Sequence, residues 1–170
     1  MKKGDVLLYS GRGFLAHMIR VVTKSRWSHA AWVLAEGTLL ESDWELFGAK
    51  GVQIEPVKTY PSKRRVLLRP NLPDAVLEQA VDLALKKAGQ KYDWGLFLSL
   101  LWNWFLCACT FWRKKRGHNR KRAWICSELV ATPLFQIAEF RFVDDVPVGN
   151  IVPEDLWRSV VNGRSKIVEP

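Results

Sequence analysis

Trp27-Ser28-His29-Ala30-Ala31-Trp32-Val33 places one polar imidazole at the head of a short apolar run of β-type residues, and the rest of the chain is read from it. A strand is expected over His29–Leu34. Far downstream, Trp124-Ile125-Cys126-Ser127-Glu128-Leu129-Val130 switches to helical apolar spacing, so a helix should begin near Cys126. A thiol at a helix start and an imidazole at a strand start are the two parts a cysteine hydrolase needs. The nucleophile works as thiolate, and a free thiol with a pKa of about 8.5 is mostly protonated at neutral pH. Unpaired N–H groups at a helix N-terminus and a neighbouring imidazolium both favour the thiolate. The histidine then needs an acceptor on its far nitrogen. Glu41, in Leu39-Leu40-Glu41-Ser42, lies one hairpin later and stands alone among apolar neighbours, which makes it the candidate.

Around these stretches the spacing predicts a buried strand over Val6–Tyr9 and a short helix over Phe14–Val22. Further strands are expected at Thr38–Glu41 after a Glu36-Gly37 turn, at Val52–Val57, and at Arg65–Leu68, ended by Pro70. The clearest helix runs from 73 to 88, with Pro73 in its first turn and Gly89 terminating it. The Cys126 helix is expected to kink or restart at Thr132-Pro133. A last short helix should start at Pro153. The 170 residues suit one α+β domain spanning 1–170, with an insertion at about 94–122.

The ordered set Gly4-Asp5-Val6-Leu7, Ser28-His29-Ala30-Ala31-Trp32-Val33, Glu41, Gly51-Val52, Lys91-Tyr92-Asp93-Trp94 and Ile125-Cys126-Ser127-Glu128-Leu129-Val130 resembles the YiiX-type, circularly permuted NlpC-like family of papain-fold cysteine hydrolases. The resemblance covers roughly 4–70 and 90–157. It implies an antiparallel sheet packed on helices, with the helix bearing the cysteine after the sheet bearing the histidine, the reverse of papain order. It implies Cys126 as nucleophile, His29 as general base, Glu41 as the group orienting the histidine, and Tyr92 at the border of the site, where it would assist the oxyanion. The backbone N–H of Cys126 would be the other oxyanion donor. The bond cleaved would be an amide or ester, in a peptidoglycan stem peptide or a lipid acyl group. Pro133 and the long segment 94–122 depart from the family pattern.

Composition narrows the setting. Hydrophobic residues make up 48 % and charged residues 25 %, which argues against disorder, and nine tryptophans ask for large aromatic contacts. The net charge of +9 is local: Arg113, Lys114, Lys115, Arg116, Arg120, Lys121 and Arg122 lie in one acid-free run, and without them 19 basic residues face 17 acidic ones. Three cysteines give no even disulfide framework, so reduced thiols are expected. Asp5 and the shortness of Val6–Tyr9 exclude a secretory h-region, so a cytoplasmic protein or one peripheral at a membrane is expected.

Trp94 to Trp112 carries no charge and is long enough to be a membrane span. A single crossing would put His29 and Cys126 on opposite sides of the bilayer, so span and site exclude each other. The alternatives are a buried or oligomer-facing helix over 94–112, or an interfacial element with the 113–122 run on anionic headgroups. The basic run also admits a membrane-associated module without turnover and, less well, a salt-sensitive nucleic-acid surface. Cys107, Cys109, His118 and Cys126 fit no familiar zinc spacing, and no metal or cofactor is expected. His17 has no partner in view and reads as structural. Glu128 reads as favouring its helix's first turn through the dipole.

Overall fold

Val6–Tyr9 (β1) bears no charge and is hydrogen-bonded along both edges, to His29–Ala35 (β2) and to Arg65–Pro70 (β5). A strand covered on both faces reads as a continuous apolar run rather than an alternating one, and Val6, Leu7 and Leu8 are fully buried. In the computed structural model, which describes residues 1–35, 37–43, 51–61, 64–93, 95 and 123–168, the sheet grows outward from β1. Thr38–Ser42 (β3) pairs with β2, Val52–Pro56 (β4) with β3, and Ser165–Val168 (β8) with β5. The order is β4-β3-β2-β1-β5-β8, antiparallel throughout. A separate parallel pair joins Lys91–Tyr92 (β6) to Ala123–Trp124 (β7).

The period-two alternation sorts the strands' side chains onto two faces. Val6, Leu8, Ala30, Trp32, Leu40 and Leu68 form one core with the helices Asp74–Leu85 (α2) and Cys126–Ala138 (α3). Leu7, Ala31, Val33, Leu39 and Leu67 form a smaller cluster with Tyr60 on the other. Phe14–Thr23 (α1) and Pro153–Val161 (α4) complete the helices used below. Arg69, buried at the end of β5, bridges Asp5 at 2.5 Å and Asp74 at 2.7 Å, which ties the start of β1 to the start of α2.

Four local expectations need correction. β4 ends at Pro56, and Val57–Thr59 turns into a short 3-10 helix. β5 continues through Pro70 as its last residue, opposite Ser165. Pro73 is the N-cap of α2 rather than part of its first turn, and the helix ends at Leu85 before a turn to Gly89, whose φ of +81° suits glycine. The helix begun at Cys126 runs through Pro133 without restarting. Proline lacks the N–H that would bond to the Leu129 carbonyl, and the Trp32 indole N–H donates to that carbonyl instead, at 3.1 Å. A side chain from the sheet thus supplies the bond that the helix interior omits.

The apolar stretch 94–112 (Gly95 apart) and the basic run 113–122 lie outside the described residues, and so do the oligomer, membrane and nucleic-acid readings that rest on them. Among the described residues, no helix is long and apolar enough to cross a membrane.

Candidate active site

His29 is the first residue of β2, opposite Tyr9 of β1, and the Ser28 N–H donates to the Tyr9 carbonyl at 2.9 Å to hold the strand entry. Ala31 pairs with Glu41 across the β2–β3 hairpin, so His29 and Glu41 are diagonal neighbours within reach of long side chains. The His29 Nε2 lies 2.8 Å from Glu41 Oε2. Glu41 is 1 % exposed, and a second donor reaches the same oxygen: the Tyr60 hydroxyl, at 2.5 Å. The Tyr60 ring stacks on the imidazole with centroids 5.8 Å apart and an 18° interplanar angle, and Tyr9 meets Tyr60 edge-on at 4.7 Å.

Cys126 is the first residue of α3, buried and unbridged. Three hydrogen bonds besides the helix's own fix this end of α3. Trp32 holds the Leu129 carbonyl, the Ser42 hydroxyl donates to the Trp124 carbonyl at 2.6 Å, and the Ser127 hydroxyl donates to the Ile151 carbonyl at 2.5 Å. The first two come from β2 and β3, the strands that carry His29 and Glu41. Gly51 extends the scaffold: it bridges to Lys91, and a Cβ there would collide with the Gln90 carbonyl, so only glycine lets β4 approach β6 this closely.

The electrostatics follow the geometry. Burial by itself would lower the His29 pKa, but the Glu41 carboxylate and the hydrogen-bonded Cys126 sulfur outweigh it, and the imidazole is held well above its ordinary value. Burial would likewise raise Glu41, yet the imidazolium charge, with hydrogen bonds from His29 and Tyr60, keeps its carboxyl below the usual range. With Nε2 on Glu41, Nδ1 is the nitrogen left to serve the thiol. Tyr60 is raised by burial and by the Glu41 charge, so it stays a donor.

Tyr92 is buried on β6, beside Trp124 in the parallel register, and shares a pocket wall with Cys126. Burial first and the charge of Cys126 second raise its pKa, so its hydroxyl keeps its proton. The four residues singled out from the sequence thus meet in one region. Tyr60 was missed. It follows a 3-10 turn, and no spacing in the sequence separates it from an ordinary core tyrosine. Glu128 does more than face the helix dipole. It is pushed up to about 7 by burial, opposed by a hydrogen bond from the Ile125 N–H and reinforced by the charge of Asp93. His17 is exposed on α1.

No family model and no curated protein matches the chain. The crystal structure of the metalloprotein YiiX from Escherichia coli O157:H7 aligns over 99 % of this chain and 96 % of its own, with a TM-score of 0.66 at 15 % identity. The chain has the YiiX fold. It is an α+β fold in which strands β1 to β5 of the antiparallel sheet precede the helix that opens on Cys126, and β8 follows it. The YiiX likeness is one of backbone, and the site residues are read from this chain's own geometry.

Proposed function

We propose that the chain is a thiol hydrolase or acyltransferase that cleaves an amide or ester through an acyl-cysteine. The observation that carries this reading is the line of contacts from Tyr60 through Glu41 and His29 to Cys126 at a helix N-terminus. The Cys126 Sγ, as thiolate paired with the imidazolium, attacks the substrate carbonyl carbon and forms the C–S bond. The oxyanion meets the Cys126 N–H, which as the first of the helix has no intrahelical acceptor, and the protonated Tyr92 hydroxyl serves as the second donor. Collapse breaks the bond to the leaving group, which takes the imidazolium proton. Water, or another nucleophile, then gives a proton to the neutral imidazole and attacks the thioester, which returns the thiolate. Throughout, Glu41 holds the ring orientation and stabilises the imidazolium, and Tyr60 holds Glu41.

YiiX itself is described as a metalloprotein. The donor set described here does not fit a resident metal: no three potential ligands converge among the described residues, and Glu41 turns its oxygen to His29 and Tyr60. The test is a pre-steady-state burst of 4-nitrophenol from 4-nitrophenyl acetate, with peptide mass spectrometry of the quenched protein. An acetyl group on Cys126 in wild type, lost in Cys126→Ala and strongly reduced in His29→Ala, is the expected result. Acetylation confined to lysines, with no burst, would contradict the reading.

A further inference from the structure

Of the α-helices described, three bury a stripe in the core. α2 buries Leu77, Ala80, Val81 and Ala84, α3 buries Leu129, Val130 and Leu134, and α4 buries Leu156 and Ser159. In α1 no described side chain is fully buried, although Phe14, Met18, Ile19, Val21 and Val22 make it largely apolar. Helical spacing splits these residues between two sides. Ile19 and Val22, with Thr23, form part of the wall beside Cys126. Phe14, Met18 and Val21 recur at i, i+4 and i+7 on another stripe, where Phe14 is 82 % exposed, Val21 43 %, and Met18 half-buried. Exposed apolar residues scattered singly need no partner, but these share one stripe.

Charge indicates which partner fits. Residues 6–35 hold Arg12, Arg20, Lys24 and Arg26 and no Asp or Glu. Arg12 and Lys24 are exposed and bracket the stripe. The Arg20 guanidinium donates to two neutral acceptors, the Ser10 hydroxyl and the Gly11 carbonyl, each at 2.8 Å. Arg26 turns to α4, with its guanidinium 5.7 Å over the Trp157 ring and its N–H on Glu154 at 3.3 Å. A single helix presents a convex face, which suits a flat, fluid surface better than a peptide that needs a groove. An apolar stripe with basic residues at both ends matches the boundary of a bilayer, the stripe among acyl chains and the cations at anionic headgroups.

We infer that the outer face of α1, Phe14, Met18 and Val21 between Arg12 and Lys24, docks on an anionic phospholipid surface. The contact is separate from the 113–122 run and from the chemistry at Cys126, and needs neither.

The experiment uses the full chain with vesicles of phosphatidylcholine alone and of phosphatidylcholine mixed with phosphatidylglycerol. Co-sedimentation reads the affinity, and hydrogen–deuterium exchange locates the contact. Wild type should bind the mixed vesicles more tightly than the neutral ones, with exchange slowed over 12–24. Phe14→Ser should weaken binding by roughly tenfold or more, as loss of one inserted aromatic side chain predicts. Lys24→Asn, which keeps a residue suited to the left-handed φ of +50° there, should weaken it by about fivefold. Both side chains are exposed, so circular dichroism should find each variant folded. Cys126→Ala should bind as wild type does, so the docking face and the thiol reading stand or fall separately. Exchange over 12–24 unchanged by bound vesicles, or an affinity indifferent to both Phe14→Ser and Val21→Ser, would overturn the inference and place any membrane contact elsewhere on the chain. A concentration-dependent dimer lost in Phe14→Ser, without vesicle binding, would assign the face to a second copy. Retention on single-stranded RNA in place of vesicles, indifferent to Phe14→Ser, would assign the basic residues to nucleic acid. Either result would overturn the membrane face.

Discussion

At the scale of single residues, His29 is the balance point. Its pKa is raised, so its folding contribution is complete below the ordinary histidine value and is lost as pH climbs through the raised one. On the proposed mechanism, the imidazolium that activates the Cys126 sulfur is lost over the same interval. Glu41→Gln removes the carboxylate that does most of the raising, so the alkaline limb of kcat/KM should move to lower pH and the plateau should fall by at least about tenfold. Tyr60→Phe removes one hydrogen bond to a charged acceptor, worth about 1.5–3 kcal/mol. It should lower the plateau as well, by less than Glu41→Gln does, because Glu41 keeps its charge and loses only one of the bonds that hold it. A pH–rate profile for each variant checks both, and an alkaline limb indifferent to Glu41→Gln would remove the carboxylate from the account. Glu41 was legible in the sequence because a lone carboxylate in an apolar strand needs a reason. Tyr60 was not, because its contact exists only once β3 and the turn after β4 are brought together.

At the scale of elements, α3 is where sequence reasoning and structure part. A mid-helix proline predicts a break, and the break is absent because Trp32, a strand residue, takes the orphaned Leu129 carbonyl. That partner is invisible to any local rule. Trp32→Phe should leave the carbonyl buried and unpaired and cost about 1–3 kcal/mol in denaturant unfolding. Pro133→Ala, which restores the N–H, should recover part of the loss in the double variant. Additive effects would show that the indole bond is not what replaces the helix's own. Glu128 gives the same helix a pH dependence. Its pKa is raised from the carboxylate range to about 7, so its contribution is complete below the unfolded value and fades as pH rises through about 7. Glu128→Gln, which can still accept the Ile125 N–H, should therefore unfold later than wild type at pH 8 and little differently near pH 4, by thermal melts. A wild-type advantage at pH 8 would contradict the assignment.

For the whole molecule, the large features were readable and the edges were not. β1, β2 and β3 announce themselves as apolar runs between turn residues, and the cysteine helix by its change of period. β8 is short, bears Lys166 and lies at the sheet's edge, so it carries little pattern to find. The β6–β7 pair has two residues in each strand and depends on partners far apart in the chain, yet it sets Tyr92 beside Trp124. The arrangement matters for function because the thiol and imidazole arrive on different elements, α3 and β2, and the bonds from Trp32 and Ser42 are what hold one against the other. The most direct measurement is the rate at which iodoacetamide alkylates Cys126 at neutral pH in folded wild type, His29→Ala and Glu41→Gln, read by peptide mass. The account predicts that wild type is fastest, Glu41→Gln intermediate and His29→Ala slowest, with each variant folded by circular dichroism. Equal rates in all three would contradict it.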